Sequence, residues 1–168
     1  MPRAAITIRP QMVKDAARFY KILTTGNFRF FPLNISSIEA EKRFLRNNVR
    51  NFKEKKTFNF SILLEGEVIG AIGLIPETGR NYNAEVGYFI DRRYHGQGIT
   101  TEAVRLVEEY ALSKLPFINR LQAIMVVENL PSARVVEKAG FKKEGLLHSY
   151  LCLEGHFHDV FIYGKIIR

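Results

Sequence analysis

The chain has 168 residues, 46% of them hydrophobic and 25% charged, which fits one globular domain over residues 1–168 and is short for two. No run approaches the roughly 18 apolar residues of a membrane span, and a single cysteine, Cys152, rules out an internal disulfide. Basic residues outnumber acidic ones 25 to 17, and the net charge of +8 favours anionic partners.

Residues 4–8 alternate as a short strand, and the N-terminus lacks the long apolar core of a signal peptide. With one cysteine, the expected setting is cytoplasmic and soluble, with no membrane association. Met12, Ala16, Phe19, Tyr20 and Leu23 recur at helical spacing, and Gly26 punctuates the end of that helix. An aromatic loop, Phe28, Phe30, Phe31 and Pro32, comes next. Ser36 or Ser37, with Glu39 or Glu41 nearby, opens a second helix running to about residue 50. Seven basic residues lie between Lys42 and Lys56. They read either as a solvated helix face and turn or as a surface for a phosphate-rich cofactor, nucleic acid or the ribosome.

From Phe58 the period changes to that of strands. Residues 58–64 and 68–75 form a hairpin through Glu65-Gly66-Glu67, and residues 84–90 form another strand. An amphipathic helix follows over 99–112, a buried strand over 120–127 and a short helix over 131–139 stopped by Gly140. Two last strands, near 144–153 and 157–166, turn at Glu154-Gly155. This order describes one mixed sheet flanked by helices.

The segment Arg93-Tyr94-His95-Gly96-Gln97-Gly98, between a strand and a helix, carries the most chemistry. Its glycines allow backbone conformations and close approaches that other residues forbid. The helix behind them offers unpaired N–H groups and the positive end of its dipole, so a phosphate or pyrophosphate suits the loop. Arg92, Arg93, Thr100 and Thr101 add charge and donors. A plain connecting turn is the simpler reading, and a dinucleotide fold the main competitor. Against the latter, Thr101 stands where the third glycine of G-x-G-x-x-G belongs, and Glu128 lies further along than the ribose-binding acid should. No G-x-x-x-x-G-K-[ST] occurs, which excludes a P-loop.

Arg93-x-x-Gly96-x-Gly98 resembles the [R/Q]-x-x-G-x-[G/A] acyl-coenzyme A signature of the GNAT acetyltransferase superfamily. The run from Asn129 to Phe141 (N-x-x-S-x-x-V-x-E-K-x-G-F) and the ending Gly155…Asp159…Tyr163 are similar to its RimJ/RimL branch, which acetylates ribosomal-protein N-termini. The resemblance implies an α/β (α+β) single domain. Its mixed central sheet would have about seven strands flanked by about four helices, with the fourth and fifth strands splayed apart. It also implies acetyl-CoA as cosubstrate and no metal. Phe89, Ile90 and Asp91 would give backbone contacts to pantetheine, and the Ile90 N–H would polarise the thioester carbonyl. The N–H groups of Gln97, Gly98, Ile99 and Thr100 would hold the pyrophosphate, with Gly96 permitting the turn and Arg93 completing the signature.

Glu85 is the candidate general base, on the face shared with Gly87 and Phe89; the alternative is a solvent-facing carboxylate paired with a cation. Asn129 is expected to contact the cofactor arm and Ser132 to donate a proton to the leaving thiolate. Local helix capping explains the same two residue types. Many members of the superfamily carry a tyrosine general acid at the position of Val136, leaving Ser132 as the substitute. Tyr150 and Tyr163 line the acceptor side or pack. The aromatic loop at 28–32 shapes the acceptor pocket or joins the core. His156 and His158 share a strand face without a third metal ligand at sensible spacing, and Cys152 reads as a buried small hydrophobe.

The expected activity is acetyl transfer to an amine by direct attack. An α-amino group, with a reference pKa near ~8 against ~10.4 for lysine, needs only a modest base. A protein N-terminus is therefore the first acceptor, with ribosome or ribosomal-protein association. A small amine, such as a polyamine or aminoglycoside, is the alternative, and a non-catalytic RNA-binding or ribosome-binding module ranks last. The state is monomer or homodimer.

Overall fold

The computed structural model describes residues 5–26, 28–30, 35–77, 79 and 82–168. The elements are β1 (Ile6–Pro10), a 3-10 turn (Val13–Asp15), α1 (Ala16–Thr25), α2 (Ile38–Lys53), β2 (Phe58–Leu64), β3 (Glu67–Pro76) and β4 (Asn83–Ile90). A second 3-10 turn (Arg92–Tyr94) precedes α3 (Ile99–Lys114), β5 (Arg120–Val126), α4 (Leu130–Lys138), β6 (Lys142–Leu153) and β7 (His156–Ile166). One seven-stranded sheet, ordered β1-β2-β3-β4-β5-β7-β6, joins them into a single α/β domain. Every neighbouring pair is antiparallel except β4 and β5, which run parallel.

Most of the expected elements form, with shifted ends. The first strand lies at Ile6–Pro10, two residues later than its alternation indicates. The first helix opens as a 3-10 turn because the Asp15 carboxylate takes the Met12 N–H at 3.0 Å, and it becomes α-helical only at Ala16. Gly26 ends it in extended backbone (φ −84°) rather than in the left-handed region. Ser37 is the residue that caps α2, its Oγ accepting the Ala40 N–H at 3.1 Å. That helix runs on to Lys53 because Phe52 packs edge-on against Phe58 and Phe60, with ring centroids 5.4 and 5.5 Å away. Two Glu-Gly pairs make the hairpin turns. Glu65 and Gly66 sit at φ +50° and +84°, Glu154 and Gly155 at +50° and +82°, the primed geometry whose twist matches the flanking strands.

The helices form two layers. α1 and α2 cover one face, where Phe19, Ile22, Leu23 and Leu45 pack on Ala71 and Phe89. α3 and α4 cover the other, where Val104, Val107 and Val136 pack with Ile72, Val86 and Leu121. Leu45 is fully buried, so truncating it to alanine costs about 2–5 kcal/mol. Because strand side chains alternate, Glu85, Gly87 and Phe89 lie toward α1, and Val86, Tyr88 and Ile90 toward α3 and α4.

The sheet opens at its centre. β4 pairs with β5 only through Asn83↔Arg120, Ala84↔Leu121 and Glu85↔Gln122. Beyond that rung β4 stays with β3 as far as Gly70↔Ile90, and β5 stays with β7 as far as Val126↔Val160. Gly70 keeps β3 close to the end of β4, since a Cβ there would lie 2.4 Å from the Phe89 carbonyl oxygen. The fourth and fifth strands therefore splay, and a cleft runs along the free edge of β4 from Val86 to Ile90.

Candidate active site

The register of β4 decides which backbone groups face this cleft. The Asp91 N–H donates to the Ile69 carbonyl at 2.8 Å, on the β3 side. Antiparallel pairing alternates the direction of N–H groups, so Phe89 also points its N–H at β3, and Tyr88 and Ile90 point theirs into the cleft. Of the expected trio of Phe89, Ile90 and Asp91, only Ile90 turns its N–H toward the cleft, and it does so together with Tyr88. Asp91 is committed further, its carboxylate capping the following turn through the Arg93 N–H at 3.1 Å and pairing with Arg18 at 3.0 Å. The Phe89 ring stacks edge-on against Phe19 and Phe28, at 5.5 and 6.0 Å. His95 Nε2 lies 3.2 Å from the Ile90 carbonyl oxygen, tying the start of the loop to the strand end.

Arg93 lies differently from the charge donor expected of it. Its guanidinium folds back on Asp91 at 2.7 Å, lies 3.8 Å from Glu67 and stacks over Tyr94 at 5.5 Å. The Arg93 side-chain hydrogen bond is the main force holding the Asp91 carboxyl at about 2, with help from the Arg93 N–H and from Arg18. Gly96 and Gly98 adopt φ +74° and +78°, where a side chain is strained, and Gly98 is the N-cap of α3 with no side chain capping it. The N–H groups of Ile99, Thr100 and Thr101 belong to the first turn of a 16-residue helix and have no helical acceptor. The Gln97 side chain donates to the Arg93 carbonyl at 3.1 Å and closes the loop. A Cβ on Gly96 would meet nothing within 4 Å, so the space over the loop is open. A strand edge with unshared amides leading to a positively polarised loop suits an amide-bearing arm that ends in a pyrophosphate. Beside it, α1 and the loop enclose a recess of about 640 Å³ lined by Arg18, Lys21, Asp91, Arg92 and Arg93.

Glu85 stands at the last β4–β5 rung, where the cleft begins. It is half-buried, and among the described residues it makes no hydrogen bond or ion pair, so no cation pairs with it there. Burial, and then the nearby Glu77 carboxylate, raises its pKa above the usual carboxylate value. Across the sheet, Asn129 caps α4 by accepting the Ser132 N–H at 3.3 Å. The Ser132 carbonyl accepts the Tyr88 hydroxyl at 3.0 Å. Tyr88 has no counterpart among the residues singled out in the sequence. Only its place three residues past Glu85 hinted at it, and the parting of the strands that gives it meaning is not local.

Several outer candidates resolve as structure. Tyr163 is 2% exposed and donates to Glu137 at 3.1 Å, which makes it core rather than acceptor lining. Tyr150 is 54% exposed on β6. Cys152, expected to be buried, is exposed on the edge strand. Among the described residues no His, Cys, Asp or Glu group is arranged to hold a metal. Phe28 packs on Phe89, whereas Phe31 and Pro32 lie outside the described residues.

Known proteins share this arrangement. Residues 5–142 match the acetyltransferase (GNAT) domain family. The chain is 34% identical over 165 residues to the probable N-acetyltransferase YjcK of Bacillus subtilis (strain 168), covering 92% of this chain and 90% of the relative. It is 31% identical over 138 residues to the ribosomal-protein-serine acetyltransferase of Escherichia coli (strain K12), covering 82% and 76%. The microcin C7 self-immunity acetyltransferase MccE, solved with acetyl-CoA and AMP, superposes with a TM-score of 0.87 at 25% identity, covering 96% of this chain and 92% of that one. With a sheet that splays between its fourth and fifth strands, a glycine loop capping α3 and these relatives, the chain belongs to the GNAT family and is an acetyl-CoA-dependent N-acetyltransferase.

Proposed function

We propose that residues 1–168 act as one acyltransferase domain whose acceptor is a protein N-terminal α-amino group. Glu85 carries this reading: a carboxylate at the mouth of the cleft, without a partner among the described residues and with its pKa raised by burial and by Glu77, is a base of modest strength. A modest base suits an amine that is already partly neutral near pH 7, and suits a lysine side chain poorly. The 31% identical relative named for ribosomal-protein serine acetylation supports the same class.

Acetyl-CoA, when bound, supplies a thioester whose carbonyl carbon the neutral amine attacks, so that the C–N bond forms as the C–S bond breaks. Glu85 receives the proton the amine sheds, directly or through water. The Ile90 N–H, turned into the cleft, donates to the carbonyl oxygen as it gains charge. The Ser132 hydroxyl gives a proton to the departing sulfur and regains one from water. Gly96 and Gly98 hold the loop open, and the amides of Gln97, Gly98, Ile99 and Thr100 face the pyrophosphate. Asn129 fixes the first turn of α4, from which Ser132 projects.

Association with the ribosome is supported by α2. Arg43, Arg46, Arg50 and Lys53 are exposed, and at 100° per residue they fall on one side of the helix over about 15 Å, while the neighbouring Glu39 and Glu54 close their ion pairs with Lys42 and Lys56 instead. Co-sedimentation with ribosomes that weakens with salt and with neutralisation of these four side chains tests it. A small polyamine is the second reading, favoured by Glu77 standing beside Glu85.

Two measurements test the proposal. Calorimetric titration with acetyl-CoA, beside NADH, is expected to show binding of the former only, weakened at least about 100-fold in Gly98→Trp, whose side chain strains the left-handed N-cap and fills the loop. Acceptor screening with free N-terminal peptides, N-terminally blocked lysine peptides and spermidine is expected to favour the first. Faster turnover of spermidine overturns the N-terminal assignment.

A further inference from the structure

β4 loses its neighbour β5 after Glu85, yet one side chain still ties it to the far wall of the cleft. Three residues on, the Tyr88 hydroxyl reaches α4 and donates to the Ser132 carbonyl at 3.0 Å. The Ser132 N–H is already held by Asn129 Oδ1 at 3.3 Å. Both backbone polar groups of Ser132 are therefore gripped by side chains, one from its own helix cap and one from the opposite strand. Its hydroxyl makes no hydrogen bond among the described residues and is free for chemistry. Truncating the Tyr88 hydroxyl would leave the ring packed in the core but remove the only side-chain hydrogen bond recorded among the described residues between β4 and α4.

We infer that Tyr88 is a positioning residue, whose bond across the parted strands sets the place of the Ser132 hydroxyl relative to the free edge of β4. Resting on Ser132 as the proton donor to the leaving sulfur, this assigns to the strand a part in catalysis beyond backbone contacts. Small displacements of a reacting group have steep effects on rate, so a bond to the backbone of Ser132 acts on turnover more than on binding. Burial raises the Tyr88 pKa far above the ordinary tyrosine value, so the hydroxyl remains a donor throughout the working pH range.

The test is a double-mutant cycle in the full chain with Tyr88→Phe, Ser132→Ala and the pair, read as kcat, both KM values, acetyl-CoA Kd and Tm. Tyr88→Phe is expected to lower kcat about 10-fold, to leave the acceptor KM and acetyl-CoA Kd within about twofold, and to cause no further loss in the Ser132→Ala background. A Tyr88→Phe enzyme with wild-type kcat beside an impaired Ser132→Ala enzyme overturns the inference and leaves the Ser132 reading standing. Losses that multiply in the double mutant also overturn it, because Tyr88 then acts apart from Ser132. A fully active Ser132→Ala enzyme removes the Ser132 reading and the inference with it. A defect in Tyr88→Phe confined to Tm, with kcat restored at lower temperature, reduces the tyrosine to packing and equally overturns it.

Discussion

Two carboxylates lie under the α1–α2 layer, one toward each side of the same sheet face, and they are treated in opposite ways. Near β1 and β2, Asp15 is bound by both Arg9 guanidinium nitrogens at 2.8 Å, by the Ser61 hydroxyl at 2.7 Å and by the Met12 N–H at 3.0 Å. Near β4 and β5, Glu85 has no such partner among the described residues, and its closest charged influence is another carboxylate, Glu77. Burial pushes both upward. At Asp15 the bonds from Arg9, Met12 and Ser61 outweigh it and bring the group below its ordinary value, while at Glu85 nothing opposes it. A buried charge saturated with partners is a fastener, whereas one left without them costs stability and persists where a reaction uses it.

Glu85→Gln should give the largest effect and put the contrast at most risk. As general base, its loss lowers kcat/KM on a peptide acceptor by about 10²–10⁴-fold. The wild-type rate should also rise with pH along a limb set above the ordinary glutamate pKa, a limb absent from the variant. Retention of full activity in steady-state assays would return Glu85 to the structural class.

Asp15→Asn is the converse. With a side chain only 3% exposed, its replacement leaves the partly exposed Arg9 against a neutral amide and costs about 1–3 kcal/mol, roughly 5 °C in Tm, with kcat unchanged at permissive temperature. Because the folded pKa of Asp15 is lowered, its contribution is present above the ordinary aspartate value near ~3.9 and disappears as pH falls through the folded one. Denaturation followed from pH 7 to 3 should show wild type converging on the variant.

The smallest effect sharpens the contrast by its sign. The folded pKa of Glu85 is raised, so its relative contribution is favourable below the ordinary glutamate value near ~4.3 and is lost as pH rises through the folded value. Calorimetry of Glu85→Gln should therefore show a modest gain in Tm at pH 7, smaller than the loss in Asp15→Asn, and no gain near pH 4.

Local chemistry was legible in the sequence. A serine cap at Ser36 or Ser37, both Glu-Gly turns, the periodicity of α3 and the glycine loop at Gly96 and Gly98 depend on residues within a few positions of each other, where backbone conformation and helix-end donors are set. Glu85 and Ser132 could be singled out as residue types on particular elements.

Their surroundings were decided by tertiary structure. Whether Phe89 or Tyr88 turns its N–H into the cleft depends on ladder alternation fixed by pairing with β3, which no run of residues within β4 encodes. Arg93 sits in a recognisable signature, yet its charge is taken up by Asp91 and approached by Glu67 from a strand more than twenty residues away. The Tyr88–Ser132 bond spans 44 positions, and Val136 is core because α4 packs it against distant strands of the sheet. Sequence determined the elements and the glycine loop that opens α3, since these follow from short-range sterics and hydrogen bonding. The fold decided which polar groups were left without partners, because partners come from distant segments, and the proposed chemistry uses those groups.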